Sequence, residues 1–176
     1  MKRIALCKEN RLQGAPDRQK LADTPMLFRE QKNPKNYIIV PLTSSERRKY
    51  IPLGFLNEEI IPTNSATIIE NAGKYELGIL SSNIVYNNFP WPHSTDKQKE
   101  RIEKTAQAIL DARANHPGDS LADLYDPLLM PADLRKAHIE NDKAVMEAYG
   151  FNWHTMKEED CVAELMKMYQ ALVTGN

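Results

Sequence analysis

The sequence predicts an α+β protein in which a β-rich first half is followed by a helical bundle. Short runs of β-branched and aromatic residues lie mainly before residue 86, whereas apolar residues at helical spacing dominate after it. The 176 residues are enough to bury a substantial core, and 41% hydrophobic with 27% charged residues is ordinary for a globular protein. We therefore expect two parts, residues 1–86 and residues 87–176.

Strands are predicted only in the first half. Residues 1–24 mix cations with Gln and Gly, and their apolar residues follow neither a helical nor a strand period. NYIIVPL (36–42) and KYIPLGFL (49–56) are rich in β-branched residues. A proline in each run predicts an edge strand or a strand end, because proline donates no ladder hydrogen bond. In ATIIENAGKYELGIL (66–80), a strand ends at an Asn-Ala-Gly turn and a new element follows.

Capping and breaking signals predict four helices in the second half. Their expected starts are at Thr95, Ser120, Pro131 and Thr155. Thr95 and Thr155 each precede a residue that completes a capping box, Gln98 or Glu158. Gly150 is the expected stop of the third helix. Before these helices, NNFPWP (87–92) alternates prolines with aromatic residues and predicts an extended joint between the halves.

Neither a catalytic centre nor a metal site is predicted. The four histidines form no HExxH motif and are expected to be surface or half-buried residues: His93, His116, His138 and His154. Gly-rich phosphate loops and nucleophile elbows are absent from the sequence. Cys7 and Cys161 lie outside any CxxC pair, which favours free thiols. Without a signal-peptide core or an apolar span, we expect a soluble cytoplasmic protein that does not contact membranes.

Positive charge is concentrated in the first fifty residues. They carry 12 Lys and Arg against 5 Asp and Glu, whereas the remainder carries 11 against 19. Such asymmetry indicates an anionic partner, for which nucleic acid is the usual candidate, although unlike charges also meet across internal interfaces. The densest cluster is SSERRK (44–49), between two predicted strands. Hydroxyls beside Arg and Lys are typical of contacts to phosphates and base edges, and a solvated hairpin tip is the alternative.

Six strings, in order, carry a resemblance to a known family. They are KLADTPMLF (20–28), SSERRKYIPLGFL (44–56), IVYNNFPWP (84–92), KTAQAILDARA (104–114), SLADLYDPLLMPADLRKAH (120–138) and CVAELMKMYQ (161–170). Over nearly its whole length the chain resembles the carboxyl-terminal third of the MmeI-like DNA methyltransferases, which are large single-chain restriction–modification enzymes. The resemblance implies a target-recognition domain over residues 20–83 and a helical C-terminal region from about residue 90.

The resemblance implies a DNA-recognition fragment that is not catalytic by itself. The family methylates adenine N6 with S-adenosylmethionine in regions that these strings do not match, so no cofactor is expected in this chain. Double-stranded DNA is the expected partner. The candidate DNA-binding residues are Lys32, Lys35, Ser44, Ser45, Arg47, Arg48 and Lys49. The joint GILSSNIVYNNFPWP (78–92) is expected to lack roughly two dozen residues that the family carries after LSSN.

Two alternatives remain open. In the first, the helical half docks onto a separately encoded methyltransferase subunit through apolar residues near its end: Leu165, Met166, Met168 and Leu172. Met-rich helix faces are also typical of ordinary core packing. In the second, the shortened joint marks a decayed remnant that has no activity.

Overall fold

The computed structural model describes residues 2–27, 34–85 and 90–175. Its elements are, in chain order, α1 (Lys2–Leu12), α2 (Pro16–Gln19), β1 (Asn36–Pro41), β2 (Gly54–Asn57), β3 (Ala66–Glu70), α3 (Lys74–Leu80), α4 (Asp96–Ala114), α5 (Leu121–Leu124), α6 (Ala132–Ala148) and α7 (Glu158–Thr174). The predicted α+β class, with helices following the strands, is confirmed. A search of the described residues finds no helix long and apolar enough to span a membrane.

The described residues fall into two compact units. The smaller unit is Met1–Lys35 with Asn57–Ile61, and the larger is Asn36–Leu56 with Pro62–Asn176. The smaller unit contains α1 and α2, which the apolar spacing failed to predict. The helix α1 buries none of its residues, so its apolar side chains need not recur at helical spacing. Strong helix formers make up most of it.

The sheet belongs mainly to the larger unit and has the strand order β2-β1-β3. Strands β1 and β3 pair antiparallel, with Ile38 opposite Ile69. Pro41 is the last residue of β1 and Pro52 precedes β2, so the predicted strand ends are confirmed. The strand β2 is shorter than KYIPLGFL predicts, because it begins only at Gly54.

A close helix contact joins the sheet region to the helical region. Asn71 has a φ of 56° and ends β3, so the predicted turn is confirmed, and α3 follows it. A Cβ atom on Gly78 would lie 2.4 Å from the Ile102 side chain, so glycine lets α3 approach α4 closely. Asn141 of α6 donates a hydrogen bond to the Gly78 carbonyl at 2.7 Å. The helices α3, α4 and α6 therefore pack into one core.

Most of the predicted helix caps are confirmed. The Thr95 hydroxyl accepts from the Gln98 N–H at 3.4 Å, and the Gln98 side chain accepts from the Thr95 N–H at 2.8 Å. Ser120 caps α5 in the same way. Gly150 has a φ of 77° after α6, and the next N–H bonds back to the Met146 carbonyl at 2.8 Å, which closes the helix as predicted.

Two predicted helix starts differ from the structure. Pro131 lies one residue before α6 rather than at its first position. Thr155 does not cap α7, which begins at Glu158. The Thr155 N–H instead donates to the Asn152 carbonyl at 3.1 Å, inside a turn. The Asp160 carboxylate accepts from the Lys157 N–H at 2.9 Å, which makes Lys157 the residue that precedes the helix and Glu158 its first residue.

Candidate nucleic-acid interface

The connection between β1 and β2 exposes the predicted cations. We call residues 43–49 the cation loop. The Arg48 N–H donates to the Ser45 carbonyl at 3.0 Å, and the Arg47 N–H donates to the Ser45 hydroxyl at 3.4 Å, which closes a tight turn. Arg47 and Lys49 are exposed, and Arg48 is half-buried. Among the described residues, neither guanidinium group has a hydrogen-bond or ion-pair partner.

Several other arginines are occupied by protein groups. Arg11 donates to three backbone carbonyls at 2.7 Å each. Arg101 pairs with Glu147, and Arg113 donates to the Leu53 carbonyl at 2.6 Å. The guanidinium groups of the cation loop thus keep their donors available for an external acceptor.

A buried polar cluster holds the chain directly after the cation loop. We call this cluster the polar clamp; it consists of Tyr50, Ser82, Arg113, Tyr125, His138 and Asp142. Tyr50 is only 3% exposed. Its hydroxyl donates to Asp142 Oδ2 at 2.8 Å, and its ring stacks on His138 with the ring centroids 4.1 Å apart. Helix α6 therefore anchors the residue that follows Lys49.

Asp142 is the main hydrogen-bond acceptor of the polar clamp. Besides Tyr50, it accepts from the Ser82 hydroxyl at 2.9 Å and from the Asn83 N–H at 3.1 Å. Burial raises the pKa of Asp142 to about 6, an effect that these hydrogen bonds and the charge of Lys49 partly oppose. Burial, together with the neighbouring Asp142, also raises the pKa of Tyr50 above its usual range.

His138 connects the clamp to α4 and is fully buried, so the expectation of a surface or half-buried residue is wrong for it. The Tyr125 hydroxyl accepts from Arg113 Nε at 2.9 Å and donates to His138 Nε2 at 2.8 Å. Burial and the positive charge of Arg113 lower the pKa of His138 to about 3, so its ring is neutral at neutral pH. Through Arg113 and the Leu53 carbonyl, α4 also holds the chain just before β2.

A cleft of about 540 Å³ opens beside the cation loop. The loop lines it from residue 44 to residue 49, and Ser82, Asn83 and Glu158 line it from elsewhere in the larger unit. Five of the seven predicted residues border this cleft: Ser44, Ser45, Arg47, Arg48 and Lys49. Lys35 is exposed just before β1 and does not line the cleft, and Lys32 lies outside the described residues.

Sequence reasoning missed three polar residues near the loop. Asn83 and Glu158 line the same cleft, and the Asn83 amide donates to Glu158 Oε2 at 3.0 Å. Arg135 lines a neighbouring cavity of about 350 Å³ together with Arg47 and Lys49. Only Arg135 had a usable signal: it precedes the buried clamp residues of α6 by three and seven positions, which places all of them on one helix face.

Comparisons with known proteins identify the class of module. Residues 1–85 match the family model of the MmeI target recognition domain, and residues 94–175 match that of the MmeI C-terminal domain. The chain is 35% identical over 195 residues to DNA methyltransferase A of Bacillus subtilis (strain 168), a match that covers 97% of this chain and 22% of that enzyme. It is thus similar to the recognition portion of a DNA methyltransferase.

The structural comparison agrees with the sequence matches. A solved structure of the type IIL restriction-modification enzyme MmeI, in complex with DNA, superposes with a TM-score of 0.86 at 37% identity. That match covers 98% of this chain and 26% of the MmeI chain. The chain belongs to the MmeI family and corresponds to its target-recognition and C-terminal domains. It spans about a quarter of the length of the relatives that it matches.

The alignment with the Bacillus enzyme is longer than the part of this chain that it covers. It extends over 195 residues, whereas 97% of 176 residues is about 171, so about 24 aligned positions have no residue in this chain. That number agrees in size with the segment expected to be missing after LSSN. The location of the shortening stays a prediction.

Proposed function

We propose that this chain is a DNA-recognition module and that it binds duplex DNA through the cation loop. The observation that carries the proposal is the pair of guanidinium groups of Arg47 and Arg48, which have no partner among the described residues and lie beside a polar cleft. Arg and Lys side chains and serine hydroxyls are the groups that contact phosphate oxygens in protein–DNA interfaces. Membership of the MmeI family supports the same ligand, because the solved MmeI structure is a DNA complex.

The polar clamp gives the proposed interface a physical advantage. Since Tyr50 is buried and bonded to Asp142, one end of the cation loop is already ordered before any ligand binds. Less conformational entropy is then lost on binding. In the proposal, Lys49 and the two arginines supply phosphate contacts, and Ser44 with Ser45 adds neutral donors. Lys32 and Lys35 are further candidate phosphate contacts in the proposal.

The proposal divides the chain at residue 86 into a recognition part and a helical part. The two family models support this division, because one ends at residue 85 and the other begins at residue 94. No cofactor is assigned to either part. In the proposal, S-adenosylmethionine and adenine-N6 methylation belong to the full-length enzymes of the family.

The direct test is fluorescence anisotropy of a labelled random-sequence duplex, titrated with the chain at about 50 and about 200 mM salt. Binding should weaken markedly at the higher salt. Replacing Arg47, Arg48 and Lys49 together by Ala should lower the affinity. It should also flatten the plot of log affinity against log salt by up to about 2.7, since each neutralised phosphate contributes roughly 0.9.

The matched control removes the same charge elsewhere. Lys97, Lys99 and Lys104 are exposed on α4 and do not line the cleft, so their joint replacement by Ala should leave the salt slope near that of the wild type. Equal losses in both variants would show that net charge governs binding. An unchanged loop variant would remove its three cations from the interface.

A second candidate function rests on the last helix. Leu165 is buried, but Met166, Tyr169, Leu172 and Val173 of α7 are 39–68% exposed. Such an apolar face suits docking onto a separately encoded methyltransferase subunit. Co-purification with such a subunit, lost on Leu172→Glu, would support this function. A chain that sediments as a monomer beside the subunit would argue against it.

A further inference from the structure

Asn83 and Glu158 form a hydrogen-bonded pair that lines the same cleft as the cation loop. The pair carries a negative charge, whereas the loop is positive. The Asn83 side-chain amide donates to Glu158 Oε2 at 3.0 Å. Its backbone N–H donates to the buried Asp142 at 3.1 Å, so the polar clamp fixes the position of Asn83. Glu158 is the first residue of α7 and is exposed. Two side chains that are 75 positions apart in the chain thus line one cleft together.

The pair retains unused hydrogen-bonding capacity. Within the described parts of the chain, Asn83 Oδ1 and Glu158 Oε1 have no hydrogen-bond partner. A carboxylate oxygen can only accept, and an amide oxygen also accepts. The pair therefore offers two neighbouring acceptors, with the second amide hydrogen of Asn83 as a donor beside them.

Charge decides which part of a nucleic acid these acceptors suit. A phosphate placed against Glu158 would meet a like charge, which is unfavourable, whereas Arg47 and Arg48 on the same cleft attract it. An uncharged base that carries an exocyclic amino group presents one amino hydrogen to the major groove, which either of the two acceptors can take. In the major groove, Glu accepts from cytosine N4, and Asn pairs with adenine through N6 and N7.

We propose that Asn83 and Glu158 read the amino group of an adenine or a cytosine in the major groove while the cation loop holds the backbone. This inference rests on the proposed function, since it requires that the cleft receive duplex DNA. It adds two specificity-determining residues from outside the loop. It also assigns the two kinds of contact to different residues: phosphates to the cations, and one base to the carboxylate–amide pair.

The test selects binding sites from duplexes with a randomised central segment, separates bound from free DNA and sequences both. The wild type should enrich A or C at one position. Glu158→Gln keeps the side-chain shape and the bond from Asn83 but presents an amide, and it should reduce that preference at least about tenfold. Its affinity for random duplex should stay equal or rise slightly, because a negative charge is lost.

Glu159→Gln is the matched control. Glu159 is the next residue of α7, is exposed, carries the same charge and does not line the cleft. It should keep the wild-type preference. Asn83→Ala should lose the preference as Glu158→Gln does, because its backbone bond to Asp142 is retained while its amide is removed.

The amino group itself is tested on the selected duplex. Replacing the selected adenine by hypoxanthine, or the selected cytosine by uracil, exchanges the amino group for a carbonyl. This should weaken wild-type binding about tenfold or more and should hardly affect Glu158→Gln. The hypoxanthine replacement tests for adenine, and the uracil replacement tests for cytosine.

Each other outcome is decisive. If Glu158→Gln retains the wild-type preference, or if the wild type binds duplex DNA without any preference, the pair does not read a base and the proposed function still stands. A gain in affinity for all duplexes in Glu158→Gln, with the wild-type preference retained, would reduce Glu158 to a charge that balances the loop. If the wild type binds no duplex at about 50 mM salt, the proposed function itself fails.

Discussion

The cation loop ends at Lys49 and the polar clamp begins at Tyr50, yet the polar groups of the loop are largely exposed to water and those of the clamp are buried. Lys49 is exposed, whereas Tyr50 is buried and bonded to Asp142. Water can satisfy the loop's donors, so these donors need no protein partner. Buried donors without a partner would cost free energy, and the clamp pairs its buried side-chain donors except His138 Nδ1, which has no hydrogen-bond partner among the described residues. We therefore expect substitutions in the loop to change binding and substitutions in the clamp to change stability.

The largest expected effect separates these neighbours most sharply. Tyr50→Ala removes a buried ring that packs with Ile109 and Leu134 and should lower the free energy of unfolding by about 3–5 kcal/mol. Lys49→Ala should change it by less than about 0.5 kcal/mol. Urea unfolding followed by tryptophan fluorescence gives both values. Similar losses for both variants would show that the cation loop supports the fold as strongly as the polar clamp does.

The same unfolding experiment tests the remnant hypothesis. A decayed chain without a specific core should unfold gradually, whereas the packed clamp predicts a single cooperative transition for the wild type. A transition that differs between fluorescence and circular dichroism would favour the remnant.

The pH dependence of stability should contain a contribution from the clamp. The folded chain holds the Asp142 proton more tightly than the unfolded chain, because burial raises the pKa to about 6. This group therefore favours folding most below about pH 4, and its contribution falls by roughly 2–3 kcal/mol as the pH rises to about 6 and above. Besides the hydrogen bonds, neighbouring charges influence these pKa values: Lys49 acts on Asp142, and Glu158 and Arg135 act on Tyr50.

Asp142→Asn isolates that contribution, since asparagine cannot ionise and still accepts hydrogen bonds. The difference in unfolding free energy between wild type and variant, measured from pH 4 to pH 7, should favour the variant increasingly with pH. A difference that is constant with pH would mean that Asp142 does not titrate in this range.

A smaller effect is expected from the hydroxyl of Tyr50 alone. Tyr50→Phe keeps the stacking on His138 and removes one of the three donors to Asp142. The free energy of unfolding should fall by about 1–2 kcal/mol. A loss as large as that of Tyr50→Ala would mean that the hydrogen bond, rather than ring packing, dominates.

The smallest effect on stability is expected in the loop itself. Arg47→Ala with Arg48→Ala should leave the unfolding free energy within about 0.5 kcal/mol of the wild type, because neither guanidinium has a partner among the described residues. The same variant should bind duplex DNA more weakly. A clear loss of stability would show that the arginines support the fold instead.

Local signals predicted the elements that local hydrogen bonds determine. The box of Thr95 with Gln98, the turn at Asn71 and the stop at Gly150 each involve neighbours in the chain, and each is confirmed. The helix α1 was missed because a helix without a buried face has no apolar period. The α7 start was misplaced because the Thr155 N–H bonds within the turn at Asn152, while the Asp160 carboxylate bonds to the Lys157 N–H and sets the start of the helix.

Composition, spacing and shared strings are properties of the chain, so they were enough to predict the α+β class, the family and the position of the cation loop. What surrounds that loop could be read only from the folded chain. Tyr50 and Asp142 are 92 positions apart, and Asn83 and Glu158 are 75 apart. Such partners have no common local period. They meet because α3, α4, α6 and the start of α7 share one core. Burial then requires Tyr50 and Asp142 to pair, whereas Asn83 and Glu158 pair at the surface.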